Sequence, residues 1–188
     1  MGYGSYSHDA HIALVQARAA NKEEVFRQTS THPLMNPKGV RLRESRDSQE
    51  HPHSTPIVFA LDVTGSMGAI PRLLAKEQLP GFMKALTDCK VLDPQIMFMA
   101  VGDATSDRAP LQVGQFETTA ELMDQWLTYS FLEGEGGGQG RESYELALYF
   151  MARHTALDCY DLRGRKGYLF TVGDEKPYRQ VCRRQVAQ

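Results

Sequence analysis

Cysteine is scarce in this sequence. The three cysteines, Cys89, Cys159 and Cys182, are odd in number and show no Cys-x-x-Cys spacing. A dispersed set of this kind argues against a disulfide framework. We therefore expect reduced thiols, as in a cytoplasmic protein.

Long apolar runs and a strong charge of one sign are also absent. No apolar stretch approaches the ~20 residues of a membrane-spanning helix. Residues Met1 to Ser5 lack the charged and apolar layout of a signal peptide. The net charge of −2 provides no global attraction to nucleic acid or to an anionic membrane. We therefore predict a cytoplasmic location and no binding to nucleic acid or membranes.

The chain has enough length and hydrophobic content for one globular domain with an extension. It contains 188 residues, 41% of them hydrophobic, which suffices for a substantial core. A change in composition predicts a division into residues 1–55 and 56–188. In the first part, Ala10 to Phe26 predicts one amphipathic helix, and the proline-rich stretch from Gln28 to Pro56 predicts an irregular strap or linker.

From residue 57 onwards, apolar strand patterns alternate with helical patterns. Buried strands are predicted at Ile57–Leu61, Gln95–Val101 and Gly167–Val172, with a short edge strand at Leu111–Phe116. Helices are predicted from Ile70 to Leu86 with a kink at Pro80-Gly81, from the capping box of Thr118 and Glu121 through Leu127, and from about Glu142 to Ala156. This alternation indicates an α/β fold with a mostly parallel central sheet and helices on both faces.

The first buried strand leads into a loop of oxygen donors and glycines, Asp62-Val63-Thr64-Gly65-Ser66-Met67-Gly68. Asp62, Thr64 and Ser66 alternate, so one tight turn can direct a carboxylate and two hydroxyls at a single point. Hard oxygen ligands suit Mg²⁺ or Mn²⁺ rather than a soft metal. The loop therefore predicts a divalent-cation site.

Two further strand ends carry acids at the same predicted edge of the sheet. Asp103, with Asp107 in the same loop, follows the second buried strand, and Asp174 follows the third. In open α/β sheets, ligands bind where loops leave the carboxyl ends of the strands. The glycine-rich loop from Gly134 to Gly140 leads into the helix near Glu142, so we expect it at this edge as well. Together these features favour a metal site over separate solvated carboxylates.

The motif Asp62-Val63-Thr64-Gly65-Ser66 resembles the Asp-x-Ser/Thr-x-Ser signature of von Willebrand factor A (VWA) domains, where it forms the metal-ion-dependent adhesion site (MIDAS). The resemblance extends from about Pro56 to the C-terminus and implies a Rossmann-like fold. It implies that two hydroxyls of the motif contact Mg²⁺ and that an acidic side chain of a partner completes the coordination. The implied activity is metal-dependent protein binding by an adaptor or scaffold module, not catalysis.

The resemblance carries over unevenly to the second and third loops. Counting back from Ala147-Leu148, Glu142 takes the place of the family's second-loop threonine, and Gln139 and Ser143 are alternative donors. The third strand of the family ends in Thr-Asp-Gly, whereas this chain has Thr171-Val172-Gly173-Asp174, so Asp174 is the candidate replacement. The expected metal ligands are thus Asp62, Thr64, Ser66, Glu142 and Asp174, and the residues that could bind coordinated waters or replace a ligand are Gln139, Ser143, Asp103 and Asp107.

The second loop, with its Gly-Gly-x-x-x-Glu-Ser pattern, is closer to bacterial VWA domains than to integrin-like ones. Bacterial members often act beside MoxR-like AAA+ ATPases or in multi-protein assemblies, so the resemblance implies partners of that kind. The family fold continues after the third strand with a helix, another strand and one or two helices, whereas only Pro177–Gln188 remains here. We therefore expect a chain that is naturally short or a fragment, with a sheet edge that is open or covered by residues 1–55.

Two other functions compete with this interpretation. An aspartate after an apolar strand, together with Gly102-Asp103-Ala104-Thr105-Ser106-Asp107, is similar to haloacid-dehalogenase-like Mg²⁺-dependent phosphatases, in which the aspartate is the nucleophile. Against this, Thr64 stands where their general acid is found, and too few residues separate Asp62 from Asp103 for the lysine-bearing unit. A VWA module with a purely structural, metal-free role is the other alternative, because the second and third loops depart from the family pattern.

Overall fold

The computed structural model describes residues 4–21, 24–133 and 140–187. Its strands are β1 (Arg43–Ser45), β2 (Thr55–Asp62), β3 (Pro94–Val101), β4 (Leu111–Val113), β5 (Arg141–Glu142), β6 (Thr155–Leu157), β7 (Tyr168–Val172) and β8 (Lys176–Pro177). Its α-helices are α1 (His8–Ala20), α2 (Ile70–Leu73), α3 (Leu79–Asp88), α4 (Ala120–Tyr129), α5 (Tyr144–Arg153), α6 (Asp158–Asp161) and α7 (Arg183–Val186).

A four-stranded sheet with the order β4-β3-β2-β7 forms the centre of the molecule. Strand β2 pairs in parallel with β3 and with β7, and β4 is antiparallel to β3. Two small parallel pairs, β1 with β6 and β5 with β8, lie outside it. The predicted α/β fold with a mostly parallel central sheet is confirmed at this level.

Helices cover both faces of the sheet. Val58 and Ala60 of β2 belong to a buried cluster that includes Ala147 and Phe150 of α5. The alternate β2 residues Ile57 and Leu61 pack on the other face, with residues of α3 and α4. The division follows from the alternation of side chains along a strand, and it explains why the central strands are apolar at nearly every position.

The kink predicted at Pro80-Gly81 lies one turn earlier. A π-helical turn at Leu74–Gln78 separates α2 from α3, and Pro80 occupies the first turn of α3. A proline ring clashes with the carbonyl group four residues before it, here that of Lys76, and the proline has no N–H to donate. The wider π turn accommodates this defect.

The N-terminal extension packs on the rest of the chain more closely than its composition indicated. The predicted helix over Ala10–Phe26 is wrong at its C-terminal end, since α1 ends at Ala20 and Phe26 is a buried, non-helical residue of the core. Arg18 of α1 forms an ion pair with Asp124 of α4. The stretch predicted to be irregular contains β1, whose pairing with β6 has no signature in its own three residues.

The C-terminal part differs from the prediction in its helices. The helix predicted from Glu142 to Ala156 is α5, which ends at Arg153 before the short strand β6. The helix described in the segment Pro177–Gln188 is α7, which has only four residues. Strand β7 pairs with β2 on one side, and no strand in the described parts of the chain pairs with its other side. None of the helices described is long and apolar enough to cross a membrane.

Candidate metal centre

The predicted metal loop leaves β2 at the carboxyl edge of the central sheet. Val63 donates its N–H to the carbonyl oxygen of Val101 (3.0 Å), which extends the contact between β2 and β3 by one residue. A 3₁₀ turn at Gly65–Met67 follows. Gly68 has a φ of +52°, a left-handed conformation that glycine adopts at little cost, and it allows the chain to enter α2. The loop geometry is thus set by its own backbone.

Asp62 is fully buried and acts as the anchor of this loop. Its Oδ1 accepts hydrogen bonds from the N–H (2.9 Å) and the hydroxyl (2.6 Å) of Thr64. Its Oδ2 accepts a hydrogen bond from the hydroxyl of Tyr144 (2.7 Å), which lies at the start of α5. Burial, and then the bond to Asp62, raises the pKa of Tyr144. Three donors therefore satisfy a carboxylate that would be costly to bury alone.

The hydroxyls of Thr64 and Ser66 face each other, and the third loop, which follows β7, contacts Ser66. Thr64 Oγ1 and Ser66 Oγ are 3.1 Å apart, and Ser66 Oγ donates to Asp174 Oδ1 (3.1 Å). Each hydroxyl has only one proton. When the proton of Thr64 is directed at Asp62 and that of Ser66 at Asp174, lone pairs of the two hydroxyl oxygens face each other. This arrangement suits a shared cation.

Gly173 allows the third loop to approach this closely. A Cβ atom on Gly173 would lie 3.0 Å from the Cβ of Asp62 and would overlap the hydroxyl oxygen of Tyr144. Only a residue without a side chain fits there. The glycine thereby permits Asp174 to reach Ser66.

Glu142 in the second loop has an unusual environment. Its side chain is fully buried, and neither of its carboxylate oxygens has a hydrogen-bond partner among the described residues. Burial, reinforced by the charges of Asp62, Asp107 and Asp103, raises its pKa to about 8. A buried carboxylate without a partner is strongly unfavourable. Glu142 is therefore the group at this edge that most requires a proton or a cation.

Asp103 repeats the arrangement of Asp62 one strand away. The N–H and hydroxyl of Thr105 donate to Asp103 at 2.9 and 2.6 Å, and the hydroxyl of Tyr178 donates to Asp103 at 3.1 Å. Asp107 accepts the N–H of Asp103 (2.7 Å), and burial is the main cause that raises its pKa. These two carboxylates are engaged within their own loop, and they act on the predicted centre through their charge on Glu142.

Ser143 and Gln139 are the two predicted alternative donors of the second loop. The hydroxyl of Ser143 accepts the N–H of Ala104 (3.0 Å) and its own N–H donates to Gly102 (3.0 Å), so Ser143 ties the second loop to the loop after β3. Gln139 lies outside the residues that the structure describes. The structure therefore brings together Asp62, Thr64, Ser66 and Asp174 by contact, with Glu142 close enough for the charge of Asp62 to act on it.

Two tyrosines at this edge were not predicted. Tyr144 has helical core spacing in the sequence, and Tyr178 lies in a polar tail, so neither showed a local sign of its contact with an aspartate. Arg141 holds the tail in place by donating to the carbonyl of Pro177 (2.9 Å), beside the pairing of β5 with β8. Only the position of Tyr144 directly after the second loop could have drawn attention to it.

The donors present fit a hard divalent cation. Neutral hydroxyls and carboxylates are in contact at Asp62, Thr64, Ser66 and Asp174, and the charge of Asp62 acts on the buried carboxyl group of Glu142. Across residues 4–21, 24–133 and 140–187 there is no group of three or more His, Cys, Asp or Glu side chains arranged to hold a metal ion. Hydroxyl ligands such as those of Thr64 and Ser66 are not among these residue types, so a site built on them is not tested by that result. Comparison with protein-family models, with curated proteins and with solved structures gave no match.

Proposed function

We propose that this chain is a cytoplasmic, divalent-metal-dependent protein-binding module of VWA type, which captures an acidic side chain of a partner at a MIDAS-like site. It serves as an adaptor or scaffold and not as an enzyme. The observation that carries the proposal is the pair of hydroxyls, Thr64 and Ser66, whose oxygens lie 3.1 Å apart.

The architecture supports the proposal because it brings the three loops to one edge. The loops after β2 and β7 leave neighbouring parallel strands at their carboxyl ends, and the second loop joins them through the bond from Tyr144 to Asp62. Ligand sites of open α/β sheets form at such edges. A Rossmann-like VWA fold would place its metal there as well.

In the proposed site, Thr64 and Ser66 bind the metal directly through their hydroxyl oxygens. Asp62, which already accepts three hydrogen bonds, anchors the loop and acts through water. Asp174 orients the hydroxyl of Ser66, and Glu142 supplies a further carboxylate. Mg²⁺ or Mn²⁺ would contribute an open coordination position for a carboxylate of the partner.

Glu142 sets the strength of that interaction in this proposal. A neutral threonine at its position would leave more positive charge for the partner. A glutamate that binds the metal directly neutralises part of that charge, so it weakens the attraction of the metal for an acidic side chain of the partner. If it instead stays behind a water, the attraction to the partner is stronger.

The contacts of Asp62 speak against the phosphatase alternative. A nucleophilic carboxylate needs an oxygen that a substrate can reach, whereas Asp62 is fully buried and both of its oxygens accept hydrogen bonds. Glu142 has no hydrogen-bond partner among the described residues and without a cation would keep its proton at neutral pH. A cation would give this buried group an ionic partner, which favours the metal-binding role over a metal-free structural one.

The direct test is calorimetric titration of the purified chain with Mg²⁺ and Mn²⁺. Ser66→Ala removes one proposed ligand, and we expect it to weaken binding at least about tenfold. Ser106→Ala is a matched control, since Ser106 is also an exposed hydroxyl that donates to an aspartate (3.0 Å). Equal binding by both variants, or no binding by the wild type, would contradict the proposal.

The partner can be sought by affinity capture in Mg²⁺ and in EDTA, read by mass spectrometry. We expect a partner that is lost in EDTA and lost with Ser66→Ala, and a MoxR-like AAA+ ATPase is the class that the resemblance suggests. A partner retained under both conditions would rule out a metal bridge for that interaction. Turnover of a generic aryl phosphate that Asp62→Asn abolishes would favour the phosphatase instead.

A further inference from the structure

Among the described residues, the outer edge of β7 is an unpaired, apolar strand edge. Strand β2 pairs with its inner side, and within the described residues no strand pairs with its outer side. Tyr168 is 58% exposed and Phe170 is 43% exposed. An exposed strand of this kind presents unpaired backbone groups and is a template for pairing with another chain.

One face of this edge belongs to an aromatic cluster. Phe170 stacks on Phe59, with ring centroids 5.6 Å apart, and meets the edge of the Phe82 ring of α3 at 6.2 Å. Two grooves, of about 350 and 790 Å³, lie beside Phe82, and between them they include Tyr168, Phe170 and Val172 in their walls. A chain added to β7 would therefore find apolar contacts as well as backbone hydrogen bonds.

The charges around β7 are arranged so that the strand complements itself. The sequence reads Arg165-Lys166-Gly167 before the strand and Gly173-Asp174-Glu175 after it. Both basic residues are exposed, Asp174 is exposed and Glu175 is partly exposed. Phe170 is the midpoint of this pattern. At equal distances on either side there is one glycine followed outwards by two charged residues, which are basic before the strand and acidic after it.

We propose that a second copy of this chain occupies the edge, with two β7 strands paired antiparallel about a two-fold axis at Phe170. That register sets Tyr168 of each copy opposite Val172 of the other. It also brings the basic residues before one strand to the same end of the sheet as the acidic residues after the other. A two-fold interface must be self-complementary, and this segment has that property in both its apolar face and its charges.

The charge pattern also sets the direction in which a second copy pairs. A second β7 strand in parallel orientation would face like charges at both ends, which is unfavourable. An antiparallel β7 strand meets opposite charges at both ends. Asp174 can take part while still accepting the bond from Ser66 (3.1 Å), because its second oxygen is free to accept from a lysine. The inference does not depend on a metal.

The test is sedimentation velocity of the 188-residue chain over a wide concentration range at low salt. We expect a monomer–dimer equilibrium that weakens as salt increases. Arg165→Glu places an acid opposite Glu175 of the other copy, and Glu175→Arg places a base opposite Arg165. Each variant alone should dimerise at least about tenfold more weakly than the wild type, because like charges then meet at each end.

Mixing the two variants supplies the decisive comparison. Positions 165 and 175 then carry opposite charges at both ends, so we expect a heterodimer to form in the mixture. The charge swap Arg165→Glu/Glu175→Arg should likewise recover much of the homodimer. Lys38→Glu is the control, since Lys38 lies beside Leu111 of β4, at the opposite edge of the sheet. Circular dichroism verifies that every variant is folded.

Three outcomes would overturn the inference. One is a wild-type chain that stays monomeric at every concentration in low salt. Another is a dimer that the charge reversals do not weaken or the mixture does not restore. The third is unchanged hydrogen exchange of the β7 amides on dimerisation, which would place the interface on another surface.

Discussion

The hydroxyl of Tyr144 donates a 2.7 Å hydrogen bond to Asp62 Oδ2, between residues 82 positions apart. It joins the first turn of α5 to the end of β2, and both groups are buried. The contact therefore fixes the loop with the two hydroxyls relative to the loop with Glu142. The geometry of the candidate centre depends on it.

Tyr144→Phe removes this bond and leaves a buried carboxylate oxygen without its partner. We expect the free energy of unfolding to fall by about 1–3 kcal/mol, with weaker binding of Mg²⁺ because the two loops lose their link. Urea denaturation and calorimetric titration measure the two effects. Tyr178→Phe, which removes the similar but less buried bond to Asp103 (3.1 Å), should have a smaller effect on both.

The buried Glu142 predicts a pH dependence of stability in the metal-free protein. Its pKa is about 8 in the folded chain, against an ordinary value of 4.5. Below the ordinary value, both the folded and the unfolded state are protonated. As the pH rises towards 8, the unfolded state releases this proton while the folded state keeps it, so the free energy of unfolding decreases.

Glu142→Gln should abolish that decrease, because glutamine has the same shape and no charge. In EDTA, we expect the variant and the wild type to be similarly stable near the ordinary pKa of the carboxyl group. The variant should become progressively the more stable of the two up to about pH 8. Urea denaturation over this range measures the difference, with the exposed Glu77→Gln as the control. A difference that does not change with pH would contradict the assigned environment.

The two Asp-x-Thr loops provide a matched pair of variants. Thr64 and Thr105 each donate a 2.6 Å hydrogen bond to the aspartate two residues earlier. Thr64→Ala should destabilise the fold by about 1 kcal/mol, and Thr105→Ala by less, because Thr64 is buried and Thr105 is exposed. Only Thr64→Ala should weaken Mg²⁺ binding, at least about tenfold. Equal loss of binding in both would show that the effect acts through loop stability.

Gly173→Ala tests the close approach of the third loop. The added Cβ would lie 3.0 Å from that of Asp62 and overlap the Tyr144 hydroxyl, so either the loop or the tyrosine must move. We expect a loss of about 1–3 kcal/mol in the free energy of unfolding and reduced metal binding. Gly81→Ala, in α3 with no atom within 4 Å of the new Cβ, should be neutral or stabilising. Similar stability of the two variants would contradict this geometry.

Predictions from local patterns agreed best with the structure. The apolar run before Asp62 lies within β2, and the run from Gln95 to Val101 lies within β3, because short apolar runs bounded by turn residues are typical of parallel strands buried on both faces. The loop donors Thr64 and Ser66 lie as close together as their alternation indicates. In each case neighbouring residues carry the information.

Contacts between distant segments explain the differences. Strand β1 exists because β6 lies beside it, and the sequence Arg43-Glu44-Ser45 has no strand pattern of its own. Phe26 is buried against the core without belonging to α1, since a buried aromatic residue gains its stability from packing in any backbone conformation. Tertiary contacts override local propensity at such positions.

The sequence alone indicated which residues are candidates to bind a hard cation and that most of them follow the ends of apolar strands, because motif spacing and apolar runs are local properties. Only the tertiary structure decided how those residues are partnered. It showed Asp62 hydrogen-bonded to Thr64 and Tyr144, Asp174 beside Ser66, and Glu142 buried with no hydrogen-bond partner in the described parts of the chain. Hydrogen bonding and desolvation depend on which groups lie close together in the fold, and local sequence patterns do not specify those contacts.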